Sequence, residues 1–554
     1  MRPKMLTRRA FHQSMLAAVA TLALPRAGRA AVGPQADLWL NRLSFGADEA
    51  SRTAFAALGA EGWLEAQLAL PVADAGLDER LAAARLRINY EAGEDENGHK
   101  WRATDEMRPL SALTANPADL MRLVDWSQGM NYDERARPAR EVIAASLIRA
   151  VHAPAQLREV MTQFWHDHFN VNSAKNEFTA AFFASHDATL RQHVFGNFRV
   201  MLGEVARSPA MLYYLNNDES RASPANENYA RELLELHTLG AGNYLNDRFH
   251  HWHEVPGADA GLALGYLDLD VYEVARAFTG WSVGDGRWIS EGVEAPRTGQ
   301  FHYVEAWHDP YQKRILAVEF EGNAAPMADG ERVLDILARH PGTASFVCEK
   351  IARRLLADAP DPGLVARLAE VFLAAVDAPD QIAQVLRALV LSPEFAATPP
   401  GKLRRPFEML AALYRATGAE VDSPEIAFHW ELARAGWYQH EYGPPTGHSD
   451  RIEAWTGAST LNRTVDLALY AHEDWFASAR IEFSAADGTQ GAFAEGWAAR
   501  LIGDQAAGVL VGAALADLGI DPAVPVGDLS AENRRGVAVA AIALAALTPE
   551  FLLR

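Results

Sequence analysis

"AQLREVMTQFWHDHFNVN", residues 155–172, decides how the rest of the chain is read. Its apolar residues recur every three or four positions, the period of a helix and not of a strand. At about 100° per residue, Val160, Met161, Phe164, Trp165, His168, Val171 and Asn172 share one face, while Gln163, His166 and Asn170 fall on the other. The period predicts a helix over 155–172, with His168 turned into apolar packing and His166 turned away. Two histidines on opposite faces of one regular helix do not ligate the same ion.

The same period runs outward in both directions. It predicts helices over 38–45, 52–68, 78–92, 117–126, 138–151 and 187–207, the fourth opened by Asn116 as N-cap with Pro117 in the first helical position. Residues 93–107 read as a polar loop. Another helix is expected over 227–239, ended by Gly240, and then a long irregular stretch to residue 266. Asp270 as N-cap, with Glu273 three residues on, resembles a capping box, and Gly280 stands at the end of that helix. Short β-like pieces occur over 282–327, with "KRILAVEFEG" (313–322) the best candidate for a small sheet. Helices resume over 330–356, 363–376 and 381–391, and "AATPPGKLRRP" (396–406) reads as a linker. One echo stands out: "QVLRALVLSPEF" (384–395) and "AAIALAALTPEF" (540–551), too few copies for a solenoid. The expectation is a mostly α, multi-helical soluble fold with long loop insertions and one small β element. A main helical domain over 31–400 would carry the polar site, and a C-terminal helical region over 401–554 would pack on it.

Net charge is −21 over 554 residues. Residues 1–30 hold Arg2, Lys4, Arg8, Arg9, Arg26 and Arg29 without an acid, so removing those six cations leaves −27. Such a surface repels phosphate backbones, and no basic stripe overrides it, so nucleic acid is not an expected partner. The most apolar runs, 15–24 and 537–547, fall short of the roughly 18–20 residues of a membrane-spanning helix. Cys348 is the single cysteine, which excludes an internal disulfide and a multi-cysteine metal site; its helical neighbours Ala344 and Ile351 make it a small core residue. The opening "TRRAFHQSMLAAVATLALPRAGRA" (7–30) pairs Arg8 and Arg9 before a modest apolar run and small residues up to Ala30. That is the pattern of a twin-arginine export signal cleaved after Ala30, which implies the twin-arginine machinery as partner and a periplasmic or otherwise exported protein.

Four polar constellations carry the chemistry. His168 in the opening helix is the first. In "NENYARELLELHTLG" (226–240), Glu227, Arg231 and Glu235 form a charged face, while Tyr229, Leu233, Leu236 and His237 form an apolar one. If the faces bearing His168 and His237 meet, paired imidazoles with nearby carboxylates would suit a divalent metal; two independent core histidines bonded to carbonyls are the other reading. "HHWHE" (250–254) is either a metal-binding tract or a surface loop. In "WHDPYQK" (307–313), His308 with Asp309 is either an oriented base or an Asx-capped turn. The chain has no phosphate-cradling glycine loop and no H-E-x-x-H.

Taken in order, "RLSFGA" (42–47), "FWHDHFNV" (164–171), "PAMLYYLNN" (209–217), "NENYARELLELHTLG" (226–240), "DVYEVARAFTGW" (270–281), His308–Asp309 with Lys313, and "SPEF" (392–395) resemble blocks of the bacterial domain-of-unknown-function family 1800. The resemblance covers nearly the whole chain past the signal. It implies an exported protein, no assigned reaction, and a common polar assembly of His166, His168, Asn226, Glu227, Arg231, Glu232, Glu273, Arg276, Trp281 and His308. The insertion carrying His250, His251 and His253 departs from the usual compact spacing.

Two functions follow as expectations. The first is a metal-assisted hydrolase, with His168, His237 and His166 as candidate metal ligands and Glu232, Glu273, His308 and Asp309 as catalytic candidates. Arg231, Arg276, Asn226, Asn228 and Trp281 would hold its substrate. The second is a non-catalytic binding or assembly protein of the cell envelope, whose polar residues form a structural network. Convergent donors in an open pocket favour the first; saturated ion pairs favour the second.

Overall fold

In Arg137–His152 and Gln156–His168 almost every side chain is buried, polar ones included, so these two helices form the middle of the molecule and not its surface. The first packs on Glu177–His193 and Pro406–Thr417, the second on Glu49–Ala69 and Glu177–His193. One apolar core runs through these helices and on to Ala531–Ala546 near the C-terminus. The computed structural model describes residues 35–483, 488–514 and 521–554 and is mostly α; the expected export signal over 1–30 lies outside the described residues. Among the described residues no helix is long and apolar enough to cross a membrane.

The β content is a set of two-stranded sheets. "KRILAVEFEG" forms the expected small sheet, a hairpin of Lys313–Ile315 against Val318–Phe320. Its turn residues Leu316 and Ala317 both hold positive φ (50° and 64°), the backbone twist that suits a tight hairpin. Asp270 fixes that turn by accepting from the Leu316 N–H at 2.7 Å.

Several boundaries differ from the sequence reading. The helix expected over 78–92 stops at Ala83, and Arg85–Tyr90 is a strand paired with Thr104–Pro109, inside the stretch read as loop. Leu86 and Ile88 are buried while Arg87 and Asn89 are exposed, a period of two that the alanine-rich run before it masks. The segment 117–126 is a single α turn, Pro117–Leu120, followed by 3₁₀ turns. The helix expected over 187–207 is two, Glu177–His193 and Phe198–Ala206, the second capped by Asn197. Pro341 likewise divides 330–356, with His340 as N-cap. Asp270 is the third residue of Asp268–Ala277 and not its cap; its carboxylate accepts from the Leu267 N–H at 2.8 Å.

The second half of the stretch read as a linker, 402–406, is largely buried. Lys402, Arg404 and Arg405 are almost without solvent exposure, and residues 402–404 pair with the chain end through the Arg554 N–H to Lys402 O (2.9 Å) and the Arg404 N–H to Leu552 O (2.8 Å). This gives the sequence echo a structural meaning. Phe395 and Phe551 are both buried, and each is covered by a guanidinium, Arg42 over one and Arg404 over the other, at 5.2 Å. Each arginine also donates to the carbonyl of the phenylalanine it covers.

Candidate functional site

The last turn of Gln156–His168 places Asp167 in the wall of a cavity of about 290 Å³, shared with Lys350, Tyr442, His448, Asp450 and Arg451. The loop carrying "GHSD" (447–450) lies directly on Asp167: a Cβ at Gly447, whose φ is +67°, would stand 2.0 Å from the Asp167 carbonyl oxygen. Only glycine allows that approach.

Behind the cavity wall the charges are paired. Asp167 accepts from Arg405 Nη1 at 2.9 Å and from His448 Nδ1 at 3.3 Å. Arg405 also reaches Glu408 (3.0 Å) and Asp450 (3.3 Å), while Arg354 meets Glu408 and Asp450, and Arg554 lies 3.5 Å from Glu408. Three guanidinium groups thus face three carboxylates. Burial alone would push the Asp167 carboxyl up, but Arg405 and His448 overcome it and hold the group below the usual carboxylate range. His448 is held neutral: its Nε2 accepts from the Tyr438 N–H at 3.1 Å, so its proton sits on Nδ1 and is donated to Asp167. Its ring stacks on Trp437 at 4.1 Å.

Lys350, on Pro341–Leu355, differs from these groups. Its ammonium lines the cavity, lies 5.4 Å from the Phe346 ring centre, and has no hydrogen-bonded or ion-paired partner among the described residues. Burial pulls its amine down to about 8 despite the attraction of Asp450 and Asp167.

The faces bearing His168 and His237 do meet. Their ring centres are 6.3 Å apart, and His168 Nε2 donates to the His237 carbonyl oxygen at 3.1 Å. The segment carrying His237, Leu233–Thr238, is π-helical instead of continuing the α-helix Glu227–Glu232, a deformation frequent at functional sites. His168 Nδ1, both ring nitrogens of His237 and the Tyr229 hydroxyl are buried without a hydrogen-bond partner among the described residues. Burial, with Lys350 adding to it, takes His237 down to about 3 and His168 well below the ordinary histidine range, so both imidazoles are neutral. His166 belongs elsewhere, with Nε2 3.0 Å from Asp187, which also receives Arg191 and Arg149.

The remaining predicted site residues sit in two further groups and in the core. Arg276 binds Asp309 through two nitrogens at 2.9 Å each and Glu273 at 2.5 Å. Next to it, fully buried Lys313 meets Asp329 at 2.6 Å and the Asp309 carbonyl at 2.8 Å, and His308 lies 3.4 Å from Asp329. Arg231 pairs with Asp268 at 3.2 Å and stands 3.7 Å from Glu227. Asn226 is the N-cap of Glu227–Glu232, and Asn228 is exposed. Trp281 is wholly buried, with Gly330 against its indole and the Arg207 guanidinium 5.3 Å away. Glu232 is half-buried and raised to about 7 by burial and by Glu235. Cys348 is buried, and burial pushes its thiol up.

Of the three histidines expected as metal ligands, the structure brings His168 and His237 together and leaves His166 apart, with a lysine and not a carboxylate as the nearby charge. Sequence reasoning missed Asp167, Lys350, Arg405, His448 and Asp450. Asp167 stands between the two histidines singled out, and Arg405 lay in the supposed linker; a run of arginines flanked by prolines in a buried-helix protein is the one signal that pointed there.

A family model described as "Protein of unknown function (DUF1800)" matches residues 38–553. No curated protein and no solved structure matches.

Proposed function

The chain belongs to that family, and from this premise we propose that it is an exported protein of the cell envelope that binds a small anionic ligand in the cavity over Asp167. The observation that carries this reading is Lys350: a cation without a protein partner in the wall of a cavity whose deeper charges are matched one to one. An ammonium left in that position is costly until an anion joins it. Arg451, exposed at the same wall, adds a second positive group. The net charge of −21 repels anions from afar, but screening over about 8 Å at physiological ionic strength leaves the choice to the local groups. A volume of about 290 Å³ suits a carboxylate or phosphate ester of metabolite size. The Arg8–Arg9 signal supports export by the twin-arginine machinery, with an envelope protein as a further partner. In this reading Arg276, Asp309, Lys313 and Arg231 build the scaffold, because each already has its counter-charge.

Titration with small carboxylates and inorganic phosphate, followed by calorimetry, tests the cavity. Binding that disappears in Lys350→Met supports it, and equal binding by both proteins sinks it. A reporter fused after residue 40 tests export: Arg8→Lys with Arg9→Lys should keep it in the cytoplasm.

A second reading rests on a separate observation, the unpartnered nitrogens of His168 and His237. There the protein is a metal-assisted hydrolase, those histidines hold a divalent ion, and Glu232 serves as the base. Elemental analysis of the mature protein against a His168→Ala, His237→Ala variant decides it.

A further inference from the structure

The insertion "FHHWHE" (249–254) is absorbed by neither reading. It lies in the 3₁₀ run Asn246–Glu254, which is interrupted at His251 (φ −132°, ψ 47°). Trp252 in its middle packs against the core, with the Arg314 guanidinium 3.7 Å from its ring centre. On one side Arg248 donates to the Glu254 carbonyl, and on the other the Val255 N–H returns to Trp252 O at 3.1 Å with Val255 buried. The backbone is pinned at the tryptophan, while the residues on either side of it, His251 and His253, stay exposed.

We propose that His251, His253 and Glu254 form a surface site for a borderline divalent transition metal, of the copper, nickel or zinc class. Donor atoms of all three lie within 4.8 Å of one another, the one such set of three among the described residues. His251 Nδ1 is 3.7 Å from Glu254 Oε1, beyond a hydrogen bond, and the two rings are 6.2 Å apart at 74°. Donors around a tetrahedral ion with bonds of about 2.0–2.2 Å stand roughly 3.4 Å apart, so small side-chain rotations close the set. The donors are solvent-exposed, so little desolvation opposes binding. Two imidazoles with one carboxylate prefer copper, nickel and zinc over magnesium or calcium, with Cu(II) the tightest. Three protein ligands leave a coordination position for water or for a donor from another molecule. The anchored Trp252 limits the freedom the flanking histidines lose on binding.

The test uses the mature chain without a histidine tag, titrated with Zn(II) and Cu(II) by calorimetry, with electron paramagnetic resonance on the copper form. One equivalent should bind, with nitrogen coupling from two imidazoles. His251→Ala with His253→Ala should weaken it by about tenfold or more, and Glu254→Gln by less. His250→Ala should leave it unchanged. Exposure of the three side chains keeps the variants folded, which metal-free thermal melting checks. Absence of binding at micromolar metal, or unchanged binding in the His251, His253 double variant, would each overturn the assignment.

Discussion

Arg405 Nη1 lies 2.9 Å from Asp167 Oδ2, joining residues 238 apart in sequence with both side chains buried. This pair ties the stretch expected to be a linker to the helix that opened the sequence reading. Breaking one side of a buried pair strands the other charge, which costs about 3–5 kcal/mol. Asp167→Asn should therefore lower unfolding stability by that order at pH 7, measured by urea denaturation. Because the Asp167 carboxyl lies below its unfolded value, its contribution is present above about pH 4 and fades as pH falls further. Asp167→Asn should flatten that acid limb.

Lys350→Met separates binding from stability. The Lys350 amine is pulled down to about 8, so the folded state resists protonation there, and removing the charge should stabilise the ligand-free protein at pH 7 by about 1–2 kcal/mol. The same variant should lose the rise in melting temperature that an anionic ligand gives the native protein. A destabilised Lys350→Met that still responds to anions would contradict the cavity assignment.

His237 gives a test in acid. Its imidazole is held neutral with a value near 3, so its stability contribution is complete above the unfolded value of about 6.5 and lost as pH falls from there toward 3. His237→Leu removes two buried nitrogens without partners and should hold or raise stability at pH 7 while reducing the loss between pH 6.5 and 3. A large loss at pH 7, accompanied by loss of bound metal, would speak for the hydrolase reading.

The Lys313–Asp329 pair tests the scaffold role of the charge network around it. Asp329→Ala leaves a wholly buried ammonium with two carbonyl partners and the Asp309 carboxylate 3.9 Å away, and should cost about 3 kcal/mol in denaturant unfolding. If anion binding by the folded variant stays native-like, the network is scaffold; lost binding in a folded protein would put it in the site.

Gly447→Ala should be the most disruptive single methyl on the cavity rim. It clashes with the Asp167 carbonyl and demands a left-handed backbone, together worth about 2 kcal/mol or more. Ligand affinity should fall with stability, because the loop carrying His448 and Asp450 can no longer close on Asp167.

Much was legible in the sequence. The helical period placed His166 and His168 on opposite faces, and they enter separate networks, with Asp187 and with His237. "KRILAVEFEG" was legible as a small sheet, and the two Pro-Glu-Phe blocks as an echo; their shared packing under Arg42 and Arg404 could not be guessed. Period and turn chemistry act over a few residues, so they are written in short stretches. Only the tertiary structure decided which charges around the cavity meet a counter-charge. Asp167, Lys350, Arg405 and Asp450 come from four separate stretches of chain. Whether a half-buried lysine finds a carboxylate depends on side chains meeting within about 4 Å, and no local pattern encodes that meeting.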